Sequence, residues 1–210
     1  MSKSKKKASK AKANRKPEVN SPQKGESRAA PVPVAYHEAG HATIAAMLGI
    51  LRSDSTITII PEKNGFLTKY GSVTVSKEMG IHDSGKRWSA RYVRKLIVAT
   101  YAGPAVSKKL HPNLDLLEEG GDCELDMLNA TDLKGRFLVP PDCDWSFEFA
   151  SLYPKERTWK EAVALVELNW PAIQAVAAEL LERRTMTGAE VKATLRLRNQ
   201  RRRSENEGSH

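Results

Sequence analysis

Two histidines four residues apart, His37 and His41, with Glu38 directly after the first, are the side chains of this sequence best placed to do chemistry. On an α-helix, positions i and i+4 stand one above the other on the same face, so both imidazoles can converge on one metal ion. The spacing His-Glu-x-x-His is a zinc signature. Glu38 then stands beside the ion, where its carboxylate can accept a proton from metal-acidified water as that water attacks a carbonyl. The plain alternative is a pair of satisfied core histidines.

The pair needs a helix to carry it, and the sequence predicts one over about 34–51, entered through Pro31-Val-Pro-Val34. Ala39, Ala42, Ile44, Ala45, Ala46 and Leu48 are mostly strong helix formers that let a helix be buried closely against its neighbours. Gly40 is the exception. Glycine in a helix costs about 1 kcal/mol relative to alanine, so its use here predicts that another backbone or a ligand packs against it. Next, β-branched Ser55-Thr-Ile-Thr-Ile-Ile-Pro61 reads as a strand, Asn64-Gly65 as a turn, and Tyr70-Gly-Ser-Val-Thr-Val75 as a partner strand.

Apolar Trp88, Tyr92, Val93, Leu96 and Ile97 have the spacing of a buried helical face over 86–102. Gly103-Pro104 should interrupt that helix, with a second short one starting at Pro104. The later part of Gly120-Gly-Asp-Cys-Glu-Leu-Asp-Met-Leu-Asn-Ala-Thr-Asp-Leu133 reads as a helix. Pro140-Pro-Asp-Cys-Asp144 reads as a loop with Trp145, Phe147, Phe149 and Tyr153 as apolar anchors beyond it. One helix should start near Thr158 and another should enter through Trp170-Pro171 and end near Arg184. Thr187-Gly-Ala-Glu190 fits a capping box that opens a terminal helix. The fold class is mainly α with a small β-sheet, α+β.

With 210 residues the chain suits one globular domain, over 31–195, between tails at 1–30 and 196–210 that are expected to be disordered. The tails carry net +8 and +3 of the formal +9, which leaves the middle at about −2. Such tails can attract nucleic acid weakly and without sequence preference through phosphate contacts, and no aromatic residue interleaves the lysines to stack on bases. No apolar run follows the basic start, and no stretch of about twenty apolar residues could span a membrane. A cytoplasmic protein is expected, with Cys123 and Cys143 as reduced thiols.

Two histidines do not complete a catalytic zinc site, which takes a third protein ligand and leaves a position for water. Residue types alone leave Asp122, Cys123, Glu118, Glu119, His82, His111 and Asp126 as candidates. The chain resembles the peptidase domain of FtsH-type ATP-dependent zinc metalloproteases. Val34-Ala-Tyr-His-Glu-Ala-Gly-His-Ala42 is similar to that family's zinc helix, and Thr56-Ile-Thr-Ile-Ile-Pro61 to the strand after it. Ala102-Gly103 with Ala105 and Leu110 resembles a small-residue helix, and Gly120-Gly121 with Asp126-Met-Leu-Asn-Ala-Thr131 a glycine turn and following helix. Ala177-Ala-Glu-Leu-Leu-Glu182 and 187–195 resemble the C-terminal helices, so the likeness covers about 32–195. It implies a zincin-like fold, with zinc held by His37, His41 and Asp126 and Glu38 as general base and then acid.

The sequence also departs from that family. It contains no complete phosphate loop, because Arg87 follows Gly80-Ile-His-Asp-Ser-Gly-Lys86 where such a loop needs Ser or Thr, and Ser107-Lys108 stand where the family has two glutamates. The resemblance therefore implies a stand-alone metalloendopeptidase acting on protein or peptide substrates, as a homo-oligomer or beside a separate ATPase. The alternative is a non-catalytic adaptor that uses zinc as a clamp while its basic tails bind nucleic acid or an acidic partner. A structural clamp has no use for Glu38.

Overall fold

Alanine-rich sequence makes α1 (Pro31–Met47) the helix around which the others pack. From Val34 to Ala45 every residue but Tyr36 is buried, the signature of a helix enclosed on all sides. The computed structural model describes residues 31–64, 67–69, 72–73, 89–117, 123–138 and 157–207. The helix starts earlier than the sequence predicts because Pro31 and Pro33 fall in its first turn, where backbone N–H groups have no intrahelical partner. It stops at Met47, short of the expected Leu51. Gly49 takes φ 71° and closes the end, with Ile50 N–H donating to the Ala45 carbonyl and Gly49 N–H to that of Ala46.

Helix α2 (Ala90–Leu110) packs along α1, and Ser89 caps it by accepting from the Tyr92 N–H at 3.2 Å. Val93, Leu96 and Ile97 form its buried face as expected. The expected break at Gly103-Pro104 does not occur. Pro104 has no N–H to give to the carbonyl of Thr100, a loss that would break an exposed helix. Here Tyr101 to Val106 are all buried, and packing on both sides overrides local propensity.

Helices α3 (Glu124–Leu138), α4 (Arg157–Leu168) and α5 (Trp170–Arg183) complete the helical layer, α3 and α4 against α2 and α5 against α1. The Trp170-Pro171 entry and the end at Arg184 match the expectation, Arg184 turning the chain at φ 67°. Strands β1 (Thr56–Thr58), β2 (Glu62–Asn64), β3 (Leu67–Lys69), β4 (Ser72–Val73) and β5 (Thr185–Thr187) are all short. The sheet has the order β4-β1-β5, antiparallel throughout, and β2 pairs with β3. The β1–β4 pairing was expected. Strand β5 was not, because three residues give no alternation to read; its Met186 pairs with Ile57, and both are buried. The fold is thus mainly helical with a small sheet.

Helix α6 (Gly188–Glu207) opens on the expected capping box, Thr187 N–H donating to Glu190 Oε2 at 2.7 Å and Glu190 N–H to Thr187 Oγ1 at 3.3 Å. It runs on to Glu207, so most of the stretch expected as a disordered C-terminal tail is helical. Arginine, glutamine and leucine are good helix formers, and no glycine or proline interrupts them before Gly208. No helix among the described residues is long and apolar enough to cross a membrane. The N-terminal tail, Trp88, the Asn64-Gly65 turn beyond Asn64 and the Pro140 loop with its aromatic anchors lie outside the described residues.

Candidate metal centre

One turn of α1 separates His37 from His41, and the first turn of α3 brings Asp126 against both. His37 Nε2 lies 2.9 Å from Asp126 Oδ2, His41 Nε2 lies 3.0 Å from the same oxygen, and the two Nε2 atoms are 3.1 Å apart. A carboxylate in a helix's first turn also faces the positive end of the helix dipole. Among the described residues these three form a group able to hold a metal ion.

The donor set fits a tetrahedral metal. Ligand bonds of about 2.0–2.1 Å put neighbouring donors roughly 3.3 Å apart, close to the spacing of this triangle. Two imidazoles and one carboxylate are also a ligand set that leaves one position open. His37, Glu38 and His41 are 7%, 6% and 8% exposed, so these polar groups meet little bulk water.

Helix α2 forms the third wall of the centre through a stripe at i, i+4 and i+8, namely Ala99, Gly103 and Ser107. His41 Nδ1–H donates to the Ala99 carbonyl at 2.8 Å. A carbonyl can only accept, so a neutral His41 carries its proton on Nδ1 and turns a lone pair on Nε2 toward the centre. On the other ring, His37 Nδ1 is 2.9 Å from Ser107 Oγ. Between them, a Cβ on Gly103 would overlap His41 Nε2 and come within 2.7 Å of His37 Nε2. Gly40 answers from α1: a Cβ there would stand 2.7 Å from Val106 Cγ2 and 3.0 Å from the Ala102 carbonyl oxygen. The close approach predicted for Gly40 is therefore to the backbone and side chains of α2.

Burial by itself would lower the proton affinity of His37, but the hydrogen bond it gives to Asp126, with Cys123 and the charges of Asp126 and Glu38, raises it well above the ordinary histidine value. His41 is raised too, its burial outweighed by the charge and hydrogen bond of Asp126. For Asp126 burial pushes upward, and the two histidines overcome it and hold the carboxyl well below the carboxylate range. The pairing of these three residues by themselves therefore stabilises the fold fully between the ordinary carboxylate and ordinary histidine values. It is lost as pH falls through the depressed Asp126 value, and as pH rises through the raised histidine values. A metal competes with protons for the same lone pairs, so acid weakens its retention.

Among the other candidate ligands, His111 is exposed at the end of α2, and Cys123 is buried beside His37 but outside the triangle. His82, Glu118, Glu119 and Asp122 lie outside the described residues. Asp126→Ala should therefore lose metal while Cys123→Ser keeps it, as measured by metal content after dialysis. Retention by Asp126→Ala with loss in Cys123→Ser would exchange the two roles. The contributions of Ala99, Gly103 and Ser107 are those that residue types did not reveal; a run of small residues at 99, 102, 103 and 105 was the available signal. No protein-family model matches the chain, and no curated protein matches it.

Proposed function

We propose that this chain is a zinc-dependent metalloendopeptidase domain with a zincin-like arrangement, resembling the peptidase domain of FtsH-type proteases. The observation that carries the reading is the position of Glu38, buried on α1 directly after His37 and three residues before His41. His37, His41 and Asp126 would hold the ion. When bound, zinc supplies a Lewis acid that polarises a carbonyl and acidifies water. Glu38 takes the proton of the attacking water as the new C–O bond forms, then gives it to the leaving amine as the C–N bond breaks. Burial of Glu38 keeps bulk water from competing for that proton.

The substrate class is extended polypeptide, delivered in the cytoplasm by diffusion or by a separate ATPase. Purified protein should carry about one zinc per chain and cut an unfolded protein such as casein. A chelator should abolish cleavage and zinc should restore it, with retention weakening as pH falls. Cleavage that survives complete metal removal would overturn the reading. Zinc bound without cleavage, alone or beside an ATPase, would favour the adaptor.

A further inference from the structure

We propose that Ser107 is a positioning residue of the metal centre, whose hydroxyl holds the ring of His37 in the metal-competent arrangement and so sets how tightly the ion is kept. The inference rests on the metal-centre reading above and adds to it a residue outside the ligand set.

The two histidines are anchored unequally. His41 leans on a backbone carbonyl that can only accept, so its tautomer is dictated. His37 leans on a hydroxyl 2.9 Å from Nδ1, which can accept or donate. When Ser107 accepts, the ring carries its proton on Nδ1 and Nε2 offers a lone pair. When it donates, a neutral ring carries the proton on Nε2, where it binds Asp126 Oδ2 at 2.9 Å and closes the position a metal would take. Only the first arrangement binds metal, and Ser107 is the oxygen that holds it there.

Among the described residues, Ser107 is the one oxygen that hydrogen-bonds His37 Nδ1. Cys123 lies beside His37, but a thiol is a weak donor and a weak acceptor. Lys108, next in sequence, gives its ammonium to the Leu114 carbonyl at 2.7 Å, a partner away from the two rings. Ser107 follows Gly103 by one turn on the same stripe of α2, so the helix that makes room for the rings also orients one of them.

The test uses Co2+ as probe, with affinity from competition against a chelator and coordination from its visible absorption. Ser107→Ala should weaken Co2+ binding by about ten- to a hundred-fold. It should also shift the ring 15N signals of neutral His37 in metal-free protein toward the Nε2–H form. Ser107→Thr keeps a hydroxyl and should restore both readouts, and circular dichroism of each variant checks that the helices remain. Wild-type affinity and unchanged 15N signals in folded Ser107→Ala would overturn the proposal and leave the metal centre standing. Failure of Ser107→Thr to restore either readout would also overturn it. If wild type takes up no Co2+, the metal-centre reading falls and this inference falls with it.

Discussion

Glu38→Gln should lower turnover on an unfolded protein substrate by on the order of 10²-fold or more while leaving metal content and helical structure as in wild type. Glutamine is close to glutamate in size, so the buried space on α1 stays filled. What changes is proton transfer, because an amide can neither take the proton of the attacking water nor pass it to the leaving amine. The effect should fall on kcat more than on KM, since the lost interaction belongs to the transition state. Equal cleavage by both forms would remove Glu38 from the mechanism. The absence of cleavage in either form, with metal bound, would instead favour the adaptor.

The second large effect is expected from Gly103→Ala. A single methyl group there would run into His41 Nε2 and press on His37 Nε2, the two atoms that must face a metal. Metal affinity should fall by at least about a hundred-fold, at the upper end of what changes beside a metal ligand produce. Helix propensity works in the opposite direction, because alanine is favoured over glycine by roughly 1 kcal/mol inside a helix. Loss of metal with α2 retained would therefore point to the filled space rather than to a weakened backbone. A variant that bound metal as tightly as wild type would show that the triangle of donors is not the metal position.

These two residues differ in how they could be found. Glu38 is legible beside His37 and His41 because helical periodicity fixes where three residues within one turn and a half must point, whatever surrounds them. Gly103 next to Pro104 reads locally as a helix break, and that reading fails because burial from Tyr101 to Val106 outweighs local preference. The short strand β5 and the run of α6 to Glu207 escape sequence reading for related reasons: one is too short for periodicity, and in the other a dense run of charge resembles that of a disordered tail.

The sequence by itself determined the pair of imidazoles, the carboxylate between them, the capping box at Thr187 and the mainly helical class, all of which rest on spacings within a few residues. Asp126 was singled out only through a resemblance, since several acidic and thiol groups stood in the same stretch. Tertiary structure brings Asp126 to the pair, placing an oxygen 85 positions along the chain from His41 within 3.0 Å of its ring. It also decided what orients the two rings. The Ala99 carbonyl is a backbone group that every residue possesses, so no residue type could announce it. The room at Gly103 exists only because two helices, held close at Gly40, meet there. Contacts of this kind depend on the crossing of separate helices, and local sequence preferences do not encode where that crossing falls.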